Sequence, residues 1–455
     1  MSTLEQPPGG DRPAIRWTIG KWSLALALVG TLAFLLRWYY VSHAVVYHPI
    51  RGDAIQYHAY AWNLVQHGVF SMAQPGSATV MPDSFRDPGY PLFLAGWMVA
   101  TGSFDGWYAA VLMSQSLLGA LTVVLLMSAA RGWIRDGWLV GAGVLMAIWP
   151  HSITITSFVL SETLFGFLAA LAFWLWNVGL HRESWRWTSA AGITFGLAGL
   201  TNAVLLPFAP LLAAFLVVRR RLSWRIGLTL VVGALLLPAT WGVRNLQLPS
   251  GASSGGRALI NLVQGSWPEY HSGYRLAVDG RPEGARIMRA IGQEQDLMLA
   301  DPGAGLQRMV ARMSEAPMRY FGWYLGKPAL LWDWSIRMGQ GDIYVYLTLN
   351  SPFAENPAWR ALVSLCRALN PLLMVLALVG TVLTMRKKSP NTIGRSVALL
   401  VLFVTLVYAV LQSEPRYSIP FRGFECLLAC YALDKLVGWL EHRNGPSESM
   451  TQPQA

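Results

Sequence analysis

The sequence predicts an all-α polytopic membrane protein, and three observations lead there. Of 455 residues, 54% are hydrophobic and only 13% charged, whereas soluble domains carry about 25% charged residues. Apolar runs close to the ~20 residues that cross a hydrocarbon core recur along the chain. Threaded in order, those runs place the strongly basic short loops on one face, as the positive-inside rule requires. The 21 Trp residues fit interfacial belts. A soluble enzyme, a disordered tail and a secreted disulfide scaffold are excluded. The net charge of +11 would point to nucleic acid in a soluble protein. Here it lies in loops such as Arg219-Arg220-Arg221 and Arg386-Lys387-Lys388, and no nucleic-acid partner is expected. Cys366, Cys426 and Cys430 sit in or beside apolar stretches without metal-ligand spacing and read as packing residues.

Candidate spans are 22–41, 107–130, 161–180, 226–243, 368–385, 395–412 and 418–440, with shorter runs at 138–150, 187–201 and 203–218. Arg12, Arg16 and Lys21 precede the first run, so the N-terminus is expected inside. That run lacks a small-residue cleavage site and reads as a retained helix. Residues 89–101 are too few to span comfortably; were they a span, the basic loops before residue 244 would fall outside. The expected organisation is a cytoplasmic tail over 1–21, a membrane module over 22–243 with an outer loop at 42–106, an outer segment at 244–358, C-terminal spans over 359–440 and a cytoplasmic tail over 441–455. Within the outer segment, helical periodicity appears at 284–299 and 304–316, while 317–334 is apolar but holds Lys327, Pro328 and Asp333. It is expected to lie along the interface or re-enter.

The first outer loop carries the densest chemistry. Residues 54–67 read as an amphipathic helix closed by Gly68. Asp53 stands at its start, as an N-cap or as a carboxylate held at the membrane surface as a general base. Tyr57 lies one turn on. His43, His48, His58 and His67 are nearby but show no zinc-helix spacing. Arg86-Asp87-Pro88-Gly89-Tyr90-Pro91 then forms a turn opening a helix. Further along, Glu162 opens an apolar run, where an ionisable residue is costly. Arg244 and the corner Glu414-Pro415-Arg416-Tyr417 fall outside. Arginines on the outer face run against the general charge sorting, and Arg86, Arg244 and Arg416 together point to an outward phosphate site.

In order, Arg37 in the first helix, Asp53 with Tyr57, Arg86-Asp87-Pro88-Gly89-Tyr90-Pro91, Ser161-Glu162, Arg244-Asn245 and Glu414-x-Arg416-Tyr417-x-x-Pro420 resemble the GT-C superfamily of integral-membrane glycosyltransferases. The bacterial relatives of protein O-mannosyltransferases and of the lipid A aminoarabinose transferase are the look-alikes. The resemblance implies a helical bundle of about 10–12 transmembrane helices with extracytoplasmic juxtamembrane helices, in the bacterial inner membrane. It implies inverting transfer from a polyprenyl-phosphate-linked sugar to an extracytoplasmic glycan, lipid or protein. Asp53 matches the catalytic base and Glu162 the second acidic position, sometimes linked to a divalent cation such as Mg or Mn. Arg86, Arg244, Arg416 and Tyr417 match the donor-phosphate contacts, with Tyr57, Asp87 and Tyr90 as candidate substrate contacts. A transporter or flippase is the alternative, although most charged residues lie near helix ends rather than along a continuous path.

Overall fold

The computed structural model describes residues 17–248, 253–386 and 391–443; Arg12, Arg16, Lys387, Lys388 and the tail beyond Arg443 lie outside them. The chain is helical almost throughout, as predicted. Helix α1 (Ile19–His43) starts where the Thr18 hydroxyl accepts from the Lys21 amide. After the first turn of the loop, α2 (Asp53–His67) ends on Gly68, whose φ of +66° is the left-handed cap expected of it. Helix α3 (Gly89–Thr101) is a single short element, and α4 (Phe104–Ala130) follows from a Ser103 cap. Helices α5 (Asp136–Ile148) and α6 (Pro150–Thr154) meet at Trp149-Pro150, where the chain turns by 57°.

Helices α7 (Glu162–Arg182), α8 (Trp185–Thr201), α9 (Phe208–Val218) and α10 (Trp224–Leu246) complete the first half. A module of α11 (Ser254–Gly265), α12 (Tyr270–Val278), α13 (Pro282–Ala300) and α14 (Pro302–Glu315) follows. It has its own small core of Val263, Tyr270, Ile291 and Met298. Then come α15 (Pro317–Leu331), α16 (Pro352–Glu355), α17 (Pro357–Met385), α18 (Thr392–Val410), α19 (Pro415–Ser418) and α20 (Arg422–Arg443). One two-residue ribbon, Val45 opposite Leu349 and Val46 opposite Thr348, ties the first loop to the segment before α16.

By length and composition, α1, α4, α7, α10, α17 and α18 can cross a membrane, and the bent pair at Trp149 adds a seventh among the described residues. The chain is thus multi-pass. The other runs read as spans are helices too, but α8 has 17 residues and α9 has 11, short of a ~20-residue crossing. Helix α20 carries Arg422, Glu425, Asp434 and Lys435. Helix α15 buries Lys327 and turns Met318, Phe321 and Leu325 outward, the amphipathic character expected of an interfacial segment. Cys366, Cys426 and Cys430 are buried and free, as packing residues would be.

In the bundle, small residues let backbones touch. A Cβ on Gly192 of α8 would stand 2.5 Å from the Leu230 carbonyl of α10, and one on Gly233 of α10 would stand 2.7 Å from the Ser189 carbonyl. Such close crossings bring dispersion forces to bear where lipid supplies no hydrophobic drive. Gly192→Val or Gly233→Val is therefore expected to push α8 from α10 and destabilise the protein by about 1–3 kcal/mol, read as a lowered melting temperature in detergent. An unchanged melting temperature would contradict the crossing.

Candidate active site

Gly52 precedes α2 with φ +56° and ψ −126°, a backbone conformation that side chains resist. A Cβ there would also stand 3.2 Å from the Tyr346 hydroxyl. This turn makes Gly52 the cap residue and Asp53 the first helical residue. The N-cap role offered for Asp53 by the sequence is thus taken by Gly52, and no side chain caps α2. The Asp53 carboxylate turns instead to two guanidiniums. Arg86 Nη2 donates to Oδ1 at 2.6 Å, and Arg416 Nη2 donates to Oδ2 at 3.0 Å. Arg416 Nε donates to Glu162 Oε1 at 2.5 Å, and Arg86 Nε to Gln56 Oε1 at 2.6 Å. The result is an alternating row, Arg86, Asp53, Arg416, Glu162, drawn from α2, the turn before α3, the start of α7, and α19.

The row is sheltered. Side-chain exposure is 36% for Asp53, 13% for Arg86 and Arg416, and 9% for Glu162. Taking such charges from water costs several kcal/mol each, which only close opposite partners offset. Burial pushes the Asp53 carboxyl up, but the attraction and hydrogen bonds of Arg86 and Arg416 prevail and hold it well below the usual carboxylate range. Burial works against the Arg416 guanidinium as well, and the Glu162 and Asp53 charges outweigh it, so its charge is held firmly. Tyr57 forms one wall: its ring centroid lies 4.9 Å from the Arg86 guanidinium, and its hydroxyl is 3.3 Å from Ser161 Oγ.

The remaining predicted residues surround the row. Tyr417, next to Arg416, donates to Gln412 Oε1 at 3.2 Å and stacks on Tyr408. Arg244 donates to the Asp83 carbonyl at 2.7 Å and the Phe70 carbonyl at 3.3 Å, with Trp241 beneath it; it clamps the first loop and has no contact with the row. Asp87 accepts from Arg257 Nη2 at 2.5 Å and from the Ala203 amide at 3.2 Å, joining that loop to α11 and the turn after α8. Tyr90 is fully buried, donates to Gln115 Oε1 at 2.9 Å and meets the Tyr57 ring edge-on.

Several contributors carried no sequence signal. His271 Nε2 lies 3.0 Å from Glu414 Oε2, while Glu414 Oε1 accepts from the Arg337 and Met338 amides. Burial, with Tyr274 and the Asp53 and Glu414 charges added, pushes the Tyr270 hydroxyl up. Lys327 Nζ donates to the Gly265, Val410 and Leu411 carbonyls, stapling the ends of α11 and α18 beside Gln412-Ser413-Glu414. Gln56 alone was open to inference, three residues after Asp53 on one helical face.

A divalent cation does not fit this set. Both Asp53 oxygens and Glu162 Oε1 accept from guanidiniums, and Arg416 occupies the position between the two carboxylates. Among the described residues no group of three or more His, Cys, Asp or Glu side chains could hold a metal.

No family model and no curated protein matches this sequence. Solved structures do. The Archaeoglobus fulgidus oligosaccharyltransferase tethered to an acceptor peptide containing the NVT sequon superposes with TM-score 0.52 at 14% identity, over 94% of this chain and 51% of that one. The same organism's AglB, in complex with an inhibitory peptide and a dolichol-phosphate, gives 0.51 at 15% identity over 94% and 52%. ArnT from Cupriavidus metallidurans bound to undecaprenyl phosphate aligns over 92% and 79% at 15% identity, with a TM-score of 0.38. The chain spans about half the length of the oligosaccharyltransferases it matches. Its helical fold is similar to that of these oligosaccharyltransferase structures.

Removing Arg416 tests the row. Arg416→Leu leaves two carboxylates facing each other, and breaking such a pair costs about 3–5 kcal/mol when fully buried, less here because Asp53 is a third exposed. A carboxyl held low in the folded state contributes stability above its unfolded value of about 3.9 and loses it as pH falls further. The melting deficit of Arg416→Leu is therefore expected to be full at pH 7 and to narrow below about pH 4. A deficit independent of pH would refute the ionic role.

Proposed function

We propose that the protein transfers a sugar, with inversion, from a polyprenyl-phosphate-linked donor to a glycan, lipid or protein acceptor on the extracytoplasmic side of the bacterial inner membrane. The observation that carries this reading is one carboxylate shared by two guanidiniums at one end of a GT-C-like bundle. The complex of the similar AglB with a dolichol-phosphate supports a lipid-phosphate ligand.

The chemistry follows from the charges. A donor phosphate competes with Asp53 for Arg86 and Arg416, whose forks suit phosphate oxygens, and Tyr417 adds a hydroxyl beside Arg416. Asp53, released from two cations, gains basicity at the moment a substrate is present. It then takes the proton of the acceptor hydroxyl while that oxygen attacks the anomeric carbon from the face opposite the phosphate. The bond from that carbon to the phosphate oxygen breaks, and the arginines stabilise the charge collecting on the leaving polyprenyl phosphate. Glu162 holds Arg416 in place during the exchange. Tyr57 orients Arg86, Arg244 and Asp87 hold the loop that carries it, and Tyr90 backs the Tyr57 ring. A hexosyl or pentosyl group fits this scheme equally.

Membranes containing the protein should move sugar from a polyprenyl phosphate donor to extracted acceptors. Asp53→Asn should lower kcat by about 10²–10⁴-fold and also lower donor KM, because the competing carboxylate charge is gone, whereas Arg86→Ala should raise donor KM. Full turnover by Asp53→Asn removes it as the base. No transfer from any lipid-linked donor by the wild type, alongside substrate flux across the membrane, would replace the reading with transport.

A further inference from the structure

Two carboxylates stand beside the ionic row in the chain without joining it. Asp87 follows Arg86 directly, and Glu414 lies two residues before Arg416. Each precedes a proline, Pro88 or Pro415, which fixes its own φ and restricts the residue before it. Each carboxylate and its neighbouring arginine therefore belong to one stiff stretch of backbone.

Both carboxylates are held by the module of α11 to α14. Arg257 of α11 donates from Nη2 to Asp87 Oδ2 at 2.5 Å, with side-chain exposures of 18% and 12%. His271 of α12 sets Nε2 at 3.0 Å from Glu414 Oε2, with exposures of 9% and 1%. Helix α11 itself runs from one stretch to the other. At its start, Ser253 bridges to Ser84, two residues before Arg86. At its end, a Cβ on Gly265 would stand 2.4 Å from the Leu411 carbonyl, and the Gly265 carbonyl accepts from Lys327. Twelve helical residues make a rod of about 18 Å. The core of Val263, Tyr270, Ile291 and Met298 joins that rod to α12 and α13.

The row needs such a rod. Arg86 and Arg416 are like charges that repel, and Asp53 between them is the group both grip. When an anion displaces Asp53, the side chains keep only Gln56 on one flank and Glu162 on the other. Neither contact links the two arginines, so their separation then depends on the backbone stretches that carry them.

We infer that α11 is a strut that sets the distance between the Arg86 and Arg416 guanidiniums, with Arg257 and His271 as its positioning residues. Both act on the row through a neighbouring carboxylate, and neither touches Asp53. The inference rests on the proposed transfer reaction only in taking a lipid phosphate as the anion that the two arginines receive together.

The test uses the purified full chain with Arg257→Gln, His271→Phe and the double variant. Melting in detergent without ligand reads the strut itself. Losing either end frees the spacing, so the double variant should lose little more melting temperature than the worse single variant, whereas independent lesions add. Binding of undecaprenyl phosphate, titrated by tryptophan fluorescence, reads the spacing. Each single variant should bind it about tenfold more weakly than the wild type, as misplacement by a fraction of an ångström implies. Arg257→Lys keeps the cation and should restore the affinity. Should a variant fail to fold, Asp87→Asn or Glu414→Gln removes the charge facing the module and keeps the backbone-amide contacts of that side chain. Additive melting losses overturn the strut. Wild-type affinity in both single variants overturns the positioning role. A wild type that binds no undecaprenyl phosphate counts against the transfer reading, and the melting comparison then decides the strut alone.

Discussion

Asp53 accepts from Arg86 on one oxygen and from Arg416 on the other, and the surrounding architecture serves to hold that geometry. Three sheltered charges are stable only while each keeps its opposite neighbour within hydrogen-bond reach. The partners come from chain segments far apart, 33 residues for Arg86 and 363 for Arg416. Each segment is accordingly tied down by polar contacts. Arg244 grips the Phe70 and Asp83 carbonyls, and Asp83 in turn accepts from the Met72 and Phe85 amides. Asp87 joins the same loop to Arg257 and Ala203. Lys327 gathers the carbonyls at the ends of α11 and α18, just before the segment that carries Arg416.

Much of the fold was legible because it rests on local rules. Apolar runs marked the helices, Gly68 marked the end of α2, and 13 residues marked α3 as no comfortable span. The number of crossings was less legible. Alternation of apolar runs does not distinguish a full span from α8 or α9, which are helical and apolar yet short. At the site, sorting charges by side singled out Arg86, Arg244 and Arg416 for one reason, their departure from the positive-inside trend. The structure divides them: two enter the ionic row and Arg244 grips loop carbonyls. An arginine in an unexpected place thus signals that something there needs a cation, while the partner's identity is decided by tertiary contacts. Asp53 as a cap was the local answer, and it lost because Gly52 takes the strained turn and two distant guanidiniums bind a carboxylate more strongly than a backbone amide does. His271 with Glu414, and Tyr346 near Gly52, are pairings made only by folding.

Arg416 in this place has chemical consequences. A guanidinium between two carboxylates supplies a fixed positive charge with directional donors, which a divalent cation would supply by coordination. It can also turn. Its Nε is committed to Glu162 and its Nη2 to Asp53, so an incoming anion can take the Nη2 side while the Nε side stays anchored. In the proposed reaction this division of labour makes Asp53 a base only when phosphate has displaced it.

Glu162 anchors the row to the bundle from the first turn of α7. Its Oε1 fixes Arg416, while its Oε2 is buried without a hydrogen-bond partner in the protein. Arg416 bonds Asp53 with Nη2 and Glu162 with Nε, so the grip on Asp53 rests on a carboxylate that opens α7 within the bundle and not on the first loop alone.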